Sequence, residues 1–256
     1  TVYEYGDSFQ SAGMVVTATY SDGASAAVSN YSISPTTFSS VGSQSVTISY
    51  TEHGVTKTST TAVTVNKKTI SAVPSQSGAL TYNGSSQSPT WSGYSATQLT
   101  IGGTTSGTNA GSYTATFTPK ANYRWPDGTT TAKNVTWTIG KASGSLSISP
   151  TTLTLDSSTT SASITVTRTG DGVISAVSSA PSIATASVSG NTDTVTGKAS
   201  GSATITISVA EGTNHTAPAS KTCAVTANFL NSTFASNTWE QIIAACQGGS
   251  VPDTWV

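Results

Sequence analysis

The chain has 256 residues, of which 35% are hydrophobic and only 8% charged, with a net charge of −1. So few and so nearly balanced charges, against roughly a quarter in an ordinary soluble domain, leave no nucleic-acid footprint over the whole. No run of apolar residues is long enough to span a bilayer. Ser, Thr and Gly fill the polar positions, the balance of a strand-rich extracellular protein whose wet faces are built from β-tolerant Thr. Apolar residues placed in period-two runs argue against disorder.

Residues 1–66 open with TVYEYGDSF. Val16, Ala18 and Tyr20 then alternate with Thr17 and Thr19 up to an Asp22-Gly23 turn; Val46, Ile48 and Tyr50 alternate up to His53-Gly54, which turns the chain into Val55 and Lys57. Turn signals at Gly6-Asp7, Asp22-Gly23, Ser34-Pro35 and His53-Gly54, between short alternating runs, predict a β-sandwich with one face of each sheet on a core. With VVTATYSDG, NYSISPTTF, GSQSVTISYTEHGVTKT and AVTV, the segment resembles a bacterial immunoglobulin-like domain of the kind strung along cell-surface proteins. That resemblance implies a further strand ahead of the tyrosine motif, so this domain is expected to be clipped at its front.

Residues 67–141 form a second expected domain. Tyr113, Ala115 and Phe117 alternate inward, as do Val135, Trp137 and Ile139, and Asn83-Gly84 and Asp127-Gly128 are turn dipeptides. LTYNGSSQSPTWSGY and TSGTNAGSYTATFTPKANYRWPDGT resemble a small bacterial surface module, built on a sandwich or a β-grasp-like sheet and found in tandem copies. The segment is basic: Lys67, Lys68, Lys120, Arg124, Lys133 and Lys141 face only Asp127, whereas residues 1–66 hold Lys57 against Glu4, Asp7, Asp22 and Glu52. That asymmetry favours docking of neighbours or an anionic surface polymer. The competing account is that Lys67, Lys68 and Lys141 keep two junctions soluble.

Residues 142–227 form a third. SISPTTL at 147–153 repeats SISPTTF at 32–38, an interval of 115 residues that is too long for one small sandwich, so a different module must sit between the copies. ITVTRTGDG, PSIATASVSG, VTGKASGSATITISV and CAVTA resemble a second type of bacterial immunoglobulin-like domain. A glycine turn from Gly197 to Gly201 leads into Ala203, Ile205, Ile207 and Val209.

Residues 228–256 break the pattern. Asn237 caps a run in which Trp239, Ile242, Ile243 and Cys246 fall on one helical face, closed by Gly248. WEQIIAACQGGSVPDTWV resembles the opening of a C-terminal module that follows such repeats in bacterial surface and phage tail proteins. With no signal peptide either, the whole is expected to be a piece of a longer protein. Cys223 and Cys246 make no disulfide framework and no metal set; they either pair or stand as two buried thiols.

Chemistry leaves little trace. His53 and His215 lie in turn-like sequence, and Asp22, Asp127, Asp171 and Asp193 sit beside Gly or Thr, where turn chemistry accounts for them. No phosphate loop, zinc spacing or nucleophile elbow occurs, and no cofactor is expected. A Lys68–Asn134 isopeptide crosslink assisted by Asp127 is the one covalent arrangement the second domain would allow. Flat rings stack on sugars, so Trp91, Tyr94, Tyr123 and Trp125, with Arg124 among them, are the candidate ligand-binding residues; packing within the domain is the other account of them. Trp137, in a clean strand, is core.

The expectation is therefore an all-β array of tandem immunoglobulin-like β-sandwich domains with one short C-terminal α-helix, extracellular, on a bacterial surface or phage virion. Two functions compete: a non-enzymatic spacer or adhesion segment, and a carbohydrate-binding module attached to a larger enzyme or adhesin. The expected partners are a bacterial surface glycan or other chains of a larger assembly, with self-association open through unguarded sheet edges, and with no nucleic acid and no membrane insertion.

Overall fold

The structure, a computed structural model, describes residues 2–229, which are all strand, turn and loop. The helix expected after Asn237, and Cys246 on it, lie outside the described residues. The chain divides into two compact units, one of Thr1–Leu80 and Ser86–Ile139, the other of Thr81–Ser85 with the chain from Gly140 on.

In the first unit, strands β1 (Val2–Glu4), β4 (Ser32–Ser34), β5 (Gly42–Glu52) and β6 (Val55–Asn66) form a sheet in the order β1-β6-β5-β4, facing a hairpin of β2 (Val16–Thr19) and β3 (Ser25–Val28). β5 and β6 pair from Gly42↔Val65 to Glu52↔Val55, which leaves a two-residue turn at His53-Gly54. Both turn residues have positive φ, 49° and 80°, the geometry whose twist matches that of the flanking strands. The Asp22-Gly23 turn also forms, with the Ala24 amide donating to Asp22 Oδ1 (2.9 Å). Tyr3, Phe38, Val46, Val63 and Val65 are the buried core here, with Phe38 tilted against Tyr3 at 4.8 Å.

The chain continues through β7 (Lys68–Thr69), β8 (Ser75–Ser77), β9 (Leu80–Thr81), β10 (Thr90–Ser92), β11 (Leu99–Gly103), β12 (Gly111–Pro119), β13 (Tyr123–Arg124) and β14 (Lys133–Gly140), all in the same unit but for the last residues of β9 and β14. A four-stranded sheet, β11-β12-β14-β9, carries the inward rows expected from the alternation. Ala115, Phe117, Trp137 and Ile139 are buried, and the directly paired Tyr113 and Trp137 stack at 4.5 Å. Buried Trp rings need a partner for their N–H; Trp137 Nε1 donates to the Thr104 carbonyl (2.7 Å) and Trp125 Nε1 to that of Thr131 (2.8 Å).

The second unit is a sandwich of two four-stranded sheets. Its strands are β15 (Ala142–Ser143), β16 (Ser145–Ser149), β17 (Thr152–Asp156), β18 (Ser161–Thr169), β19 (Ile174–Ser178), β20 (Ala184–Ser189), β21 (Thr192–Gly197), β22 (Gly201–Val209), β23 (His215–Thr216) and β24 (Lys221–Asn228). The sheets run β16-β18-β21-β20 and β17-β24-β22-β19. Ala203, Ile205, Ile207 and Val209 of β22 and Cys223, Val225 and Ala227 of β24 face inward, against Leu146, Ile164, Val166 and Val195. The glycine turn before β22 is required by space: a Cβ on Gly197 would lie 2.5 Å from the Phe229 ring, and one on Gly201 (φ 144°) 2.6 Å from Ile183.

The repeated Ser-Ile-Ser-Pro segment has the same local form in both copies, with cis bonds at Ser34–Pro35 and Ser149–Pro150. It stands at different places in the two topologies. Both copies end an edge strand, β4 and β16, but after the first the chain returns to the same sheet as β5 and after the second it crosses to the opposite sheet as β17.

Candidate functional site

The candidate ligand residues do not gather on one face. Trp91, on β10, meets buried Phe117 edge-on at 4.9 Å, and Tyr94 lies tilted over the same ring at 5.6 Å; both remain half-buried. Trp125 is fully buried and presents no exposed ring. Tyr123 and Arg124 form β13 and belong to a different constellation, centred on the single residue, Lys67, between β6 and β7.

That constellation is a joint. Lys68 and Ile70 donate their backbone N–H to the carbonyls of Asn122 and Arg124 (both 2.9 Å), so β7 runs parallel to β13 immediately after β6 ends. On the other side of Lys67 the Tyr5 amide donates to the Asn66 carbonyl (2.9 Å). The Tyr123 ring then meets Tyr5 edge-on at 5.5 Å. Arg124 reaches Glu4 through Nη2 (3.3 Å) and Thr69 Oγ1 through Nε (3.1 Å), while Thr69 Oγ1 itself donates to Glu4 Oε1 (3.4 Å). The acidic first segment and the basic second one meet here as a single ion pair. Its side chains are 34% and 39% exposed, which limits it to about 0–1 kcal/mol. The aromatic pair adds about 0.5–1.5 kcal/mol.

The second unit repeats the local arrangement. The Ala142 amide donates to the Asn214 carbonyl (2.9 Å), β15 runs parallel to β23, and the ring after that asparagine, His215, meets Tyr82 edge-on at 5.3 Å. Lys141 Nζ bonds Glu211 and the Gly212 carbonyl (2.7 Å). An Asn-aromatic pair, Asn122-Tyr123 or Asn214-His215, thus receives the residues that follow each linker lysine. Two residues are too short a repeat to stand out in the sequence, and the signal becomes legible only when the pairing partner is known.

The titratable groups are spoken for in other ways. Asp127 accepts from Lys133 Nζ (2.5 Å) and from Thr129, which holds its carboxyl far below the usual carboxylate range, Lys133 contributing most. Asn134 Oδ1 accepts from Thr116 (3.1 Å) and β7 carries Lys68 into the joint, so Lys68, Asn134 and Asp127 each have separate neighbours. Asp171 accepts from the Asn214 amide (3.0 Å) and contacts His215 Nδ1 (3.2 Å); chiefly the Asn214 bond lowers its pKa. Among the described residues no group of three or more His, Cys, Asp or Glu is placed to hold a metal.

Asp193 corrects the turn reading. It lies in β21 opposite Ile164 and Val188, is 0% exposed, and neither carboxylate oxygen has a hydrogen-bond partner. Burial pushes its pKa up; the Ser187 backbone N–H, too poorly placed for a full bond, pulls weakly the other way. Cys223, buried in the facing sheet, has its thiol pKa raised by burial and then by the Asp193 charge. Its position two residues before inward-facing Val195 was the available signal, masked by the turn-like letters Asn191-Thr192-Asp193.

The fold defines a class, that of immunoglobulin-like β-sandwich modules in tandem. Residues 1–65 match the bacterial Ig-like domain (group 3). No curated protein matches the chain. Among solved structures, domains 4 and 5 of the S-layer protein SbsC are 17% identical at a TM-score of 0.31, over 82% of this chain and 88% of that one. The N-terminal four Ig domains of Dscam1 isoform 6.44 are 12% identical at a TM-score of 0.30, over 89% of this chain and 71% of that one. The I9-I11 tandem from titin is 10% identical at a TM-score of 0.27, over 90% and 96%. Likenesses at these TM-scores carry no information about function.

Proposed function

We propose that this chain is a non-catalytic spacer segment of an extracellular bacterial surface or phage virion protein, made of modules at 1–66, 67–141 and 142–227. The observation that carries this reading is the joint around Lys67. A linker of one residue, bracketed by backbone hydrogen bonds and closed by the Tyr5–Tyr123 and Glu4–Arg124 pairs, ties the strands of segment 1–66 to those of segment 67–141. A catalytic or mobile role does not need such a joint; a positional role does. Short linkers with cross-joint contacts oppose the independent motion that is otherwise the default for neighbouring domains.

The test is the distribution of distances between spin labels placed on Ser49 and Ser112 of the full chain. A narrow distribution in the native chain supports the spacer. A broad one in the native chain refutes it. The carbohydrate-binding reading draws on the half-buried Trp91 and Tyr94 rings lying side by side on Phe117. Salt-sensitive retention on bacterial cells or cell-wall glycans that is lost in Trp91→Ala would favour it over the spacer.

A further inference from the structure

The strand pair that ends at Lys67 has a counterpart built of matching parts and put to another use. β1 runs parallel to β6 up to Glu4↔Asn66, and β17 runs parallel to β24 up to Asp156↔Asn228, so both pairs end with an acid opposite an asparagine. At the first end the groups reach out to the next segment: Glu4 to Arg124, the Tyr5 ring to Tyr123, and the chain through Lys67 into β7. Tyr82 and Lys141 take the corresponding places around Gly140, with the Tyr82 ring on His215.

At Asn228 each of these groups is replaced by one that turns back. The Asp156 carboxylate bends into its own loop, where Oδ1 accepts from the Ser158 amide (2.8 Å), the Ser158 hydroxyl (2.6 Å) and the Thr159 amide (2.7 Å). Ser157, at the place of Tyr5, carries no ring. Phe229, at the place of Lys67, packs its ring back against the core of the same sandwich, over Gly197, where a Cβ would lie 2.5 Å from the ring and 3.2 Å from Leu155. One hydroxyl fastens its backbone: Ser200 Oγ accepts from the Phe229 amide (2.9 Å) and donates to the Phe229 carbonyl (2.8 Å). Both backbone polar groups of Phe229 are thereby satisfied from within the sandwich. The turn from Gly197 to Gly201 supplies both the recess and the clasp.

We propose that Phe229 is a terminal cap. It closes the sandwich of the second unit at the end where the other two strand pairs open into a joint, and that unit stands complete at Phe229 without support from residues 230–256. The ring removes from water the apolar end of the core that a joint would otherwise cover, and the Ser200 clasp holds it there. The inference is independent of the spacer reading, whose label pair on Ser49 and Ser112 lies wholly before this sandwich.

The experiment is amide exchange on the full chain. Gly197 and Lys198, which donate to the Thr160 and Ile183 carbonyls (2.9 and 2.7 Å), flank the recess and report on this end. Phe229→Ala should lower their protection about tenfold or more and Ser200→Ala about threefold. Phe229→Leu should keep most of it, and the Lys68 and Ile70 amides of the first joint should not change in any of the three. Ile242→Asp combined with Ile243→Asp removes the apolar stripe from the sequence beyond Phe229 and should leave all four amides as they are. Unchanged Gly197 and Lys198 in Phe229→Ala and Ser200→Ala would overturn the proposal. So would a loss of protection in the double aspartate variant, which would mean that residues 230–256, not Phe229, close this end. If Phe229→Ala unfolds the unit outright, Ser200→Ala, which leaves the ring in place, and the double aspartate variant decide the matter.

Discussion

Replacing Asp193 with Val should stabilise the second unit, contrary to the usual outcome of a core substitution. The side chain is fully buried between Ile164 and Val188 with both oxygens unpartnered. An unsatisfied buried polar group costs about 1–3 kcal/mol, more when charged. Valine is close in volume, suits a strand and extends the row begun by Val195, so little strain offsets the gain. The pH dependence follows from the sign of the shift. Burial raises the folded pKa above the unfolded value, so the folded state binds the extra proton between the two. The stability of this unit is then highest in acid, falls as pH rises from about 4 through the folded pKa, and is level above it. Valine should remove that slope. Amide exchange at Ile164, Val195 and Ile205 reports opening of this unit separately from the rest, which matters because a multi-module chain does not unfold in two states. A gain of about 2 kcal/mol would slow exchange through global opening roughly 30-fold at pH 7. Lower protection in Asp193→Val, or an unchanged pH slope, would refute the argument and mean that the carboxylate has a stabilising partner.

Three other outcomes follow from the packing. Phe117→Ala removes a fully buried ring on which Trp91 and Tyr94 both rest, and should cost about 3–5 kcal/mol, read as a loss of thermal stability and a red shift of Trp91 emission. Gly201→Ala places a methyl within 2.6 Å of Ile183 in a backbone conformation unfavourable to L-residues; a destabilisation of about 1–3 kcal/mol should appear as faster exchange of the Ile205 amide. Cys223, fully buried and with its thiol pKa raised, should resist alkylation by iodoacetamide at pH 8 until denaturant is added, as peptide mapping by mass spectrometry would show.

What was legible in the sequence was whatever is fixed locally. Period-two alternation placed Ala115, Phe117, Trp137 and Ile139, and then Ala203 through Val209, on inward faces, because a strand cannot choose its side-chain sequence of faces. The His53-Gly54 and Asp22-Gly23 turns were readable for the same reason, since their backbone angles are set within the dipeptide. Matters decided by pairing across long separations were not. Trp125, in loop-like Pro-Asp-Gly sequence, is held inside by a bond to Thr131 and by the surrounding core, which composition does not reveal. The joint depends on residues about 120 positions apart, Glu4 and Arg124, whose opposite charges were visible only as a contrast between two segments. The half-open core of the first module was invisible in principle: Val16, Ile48 and Val55 alternate as core residues do, and only the spacing of the two sheets shows that no described residue closes over them.

Parallel pairing of early with late strands has a consequence for load. In the first module β1 runs alongside β6, and in the second unit β17 runs alongside β24, with partners from Thr152↔Ala224 to Asp156↔Asn228. Tension entering a sandwich at one end and leaving at the other pulls two such strands in opposite directions along their own axes. Their hydrogen bonds are then sheared together instead of being opened one after another, so rupture needs several bonds to fail at once. A module built this way yields late and abruptly, which suits a chain under pull better than one that only needs to be stable at rest.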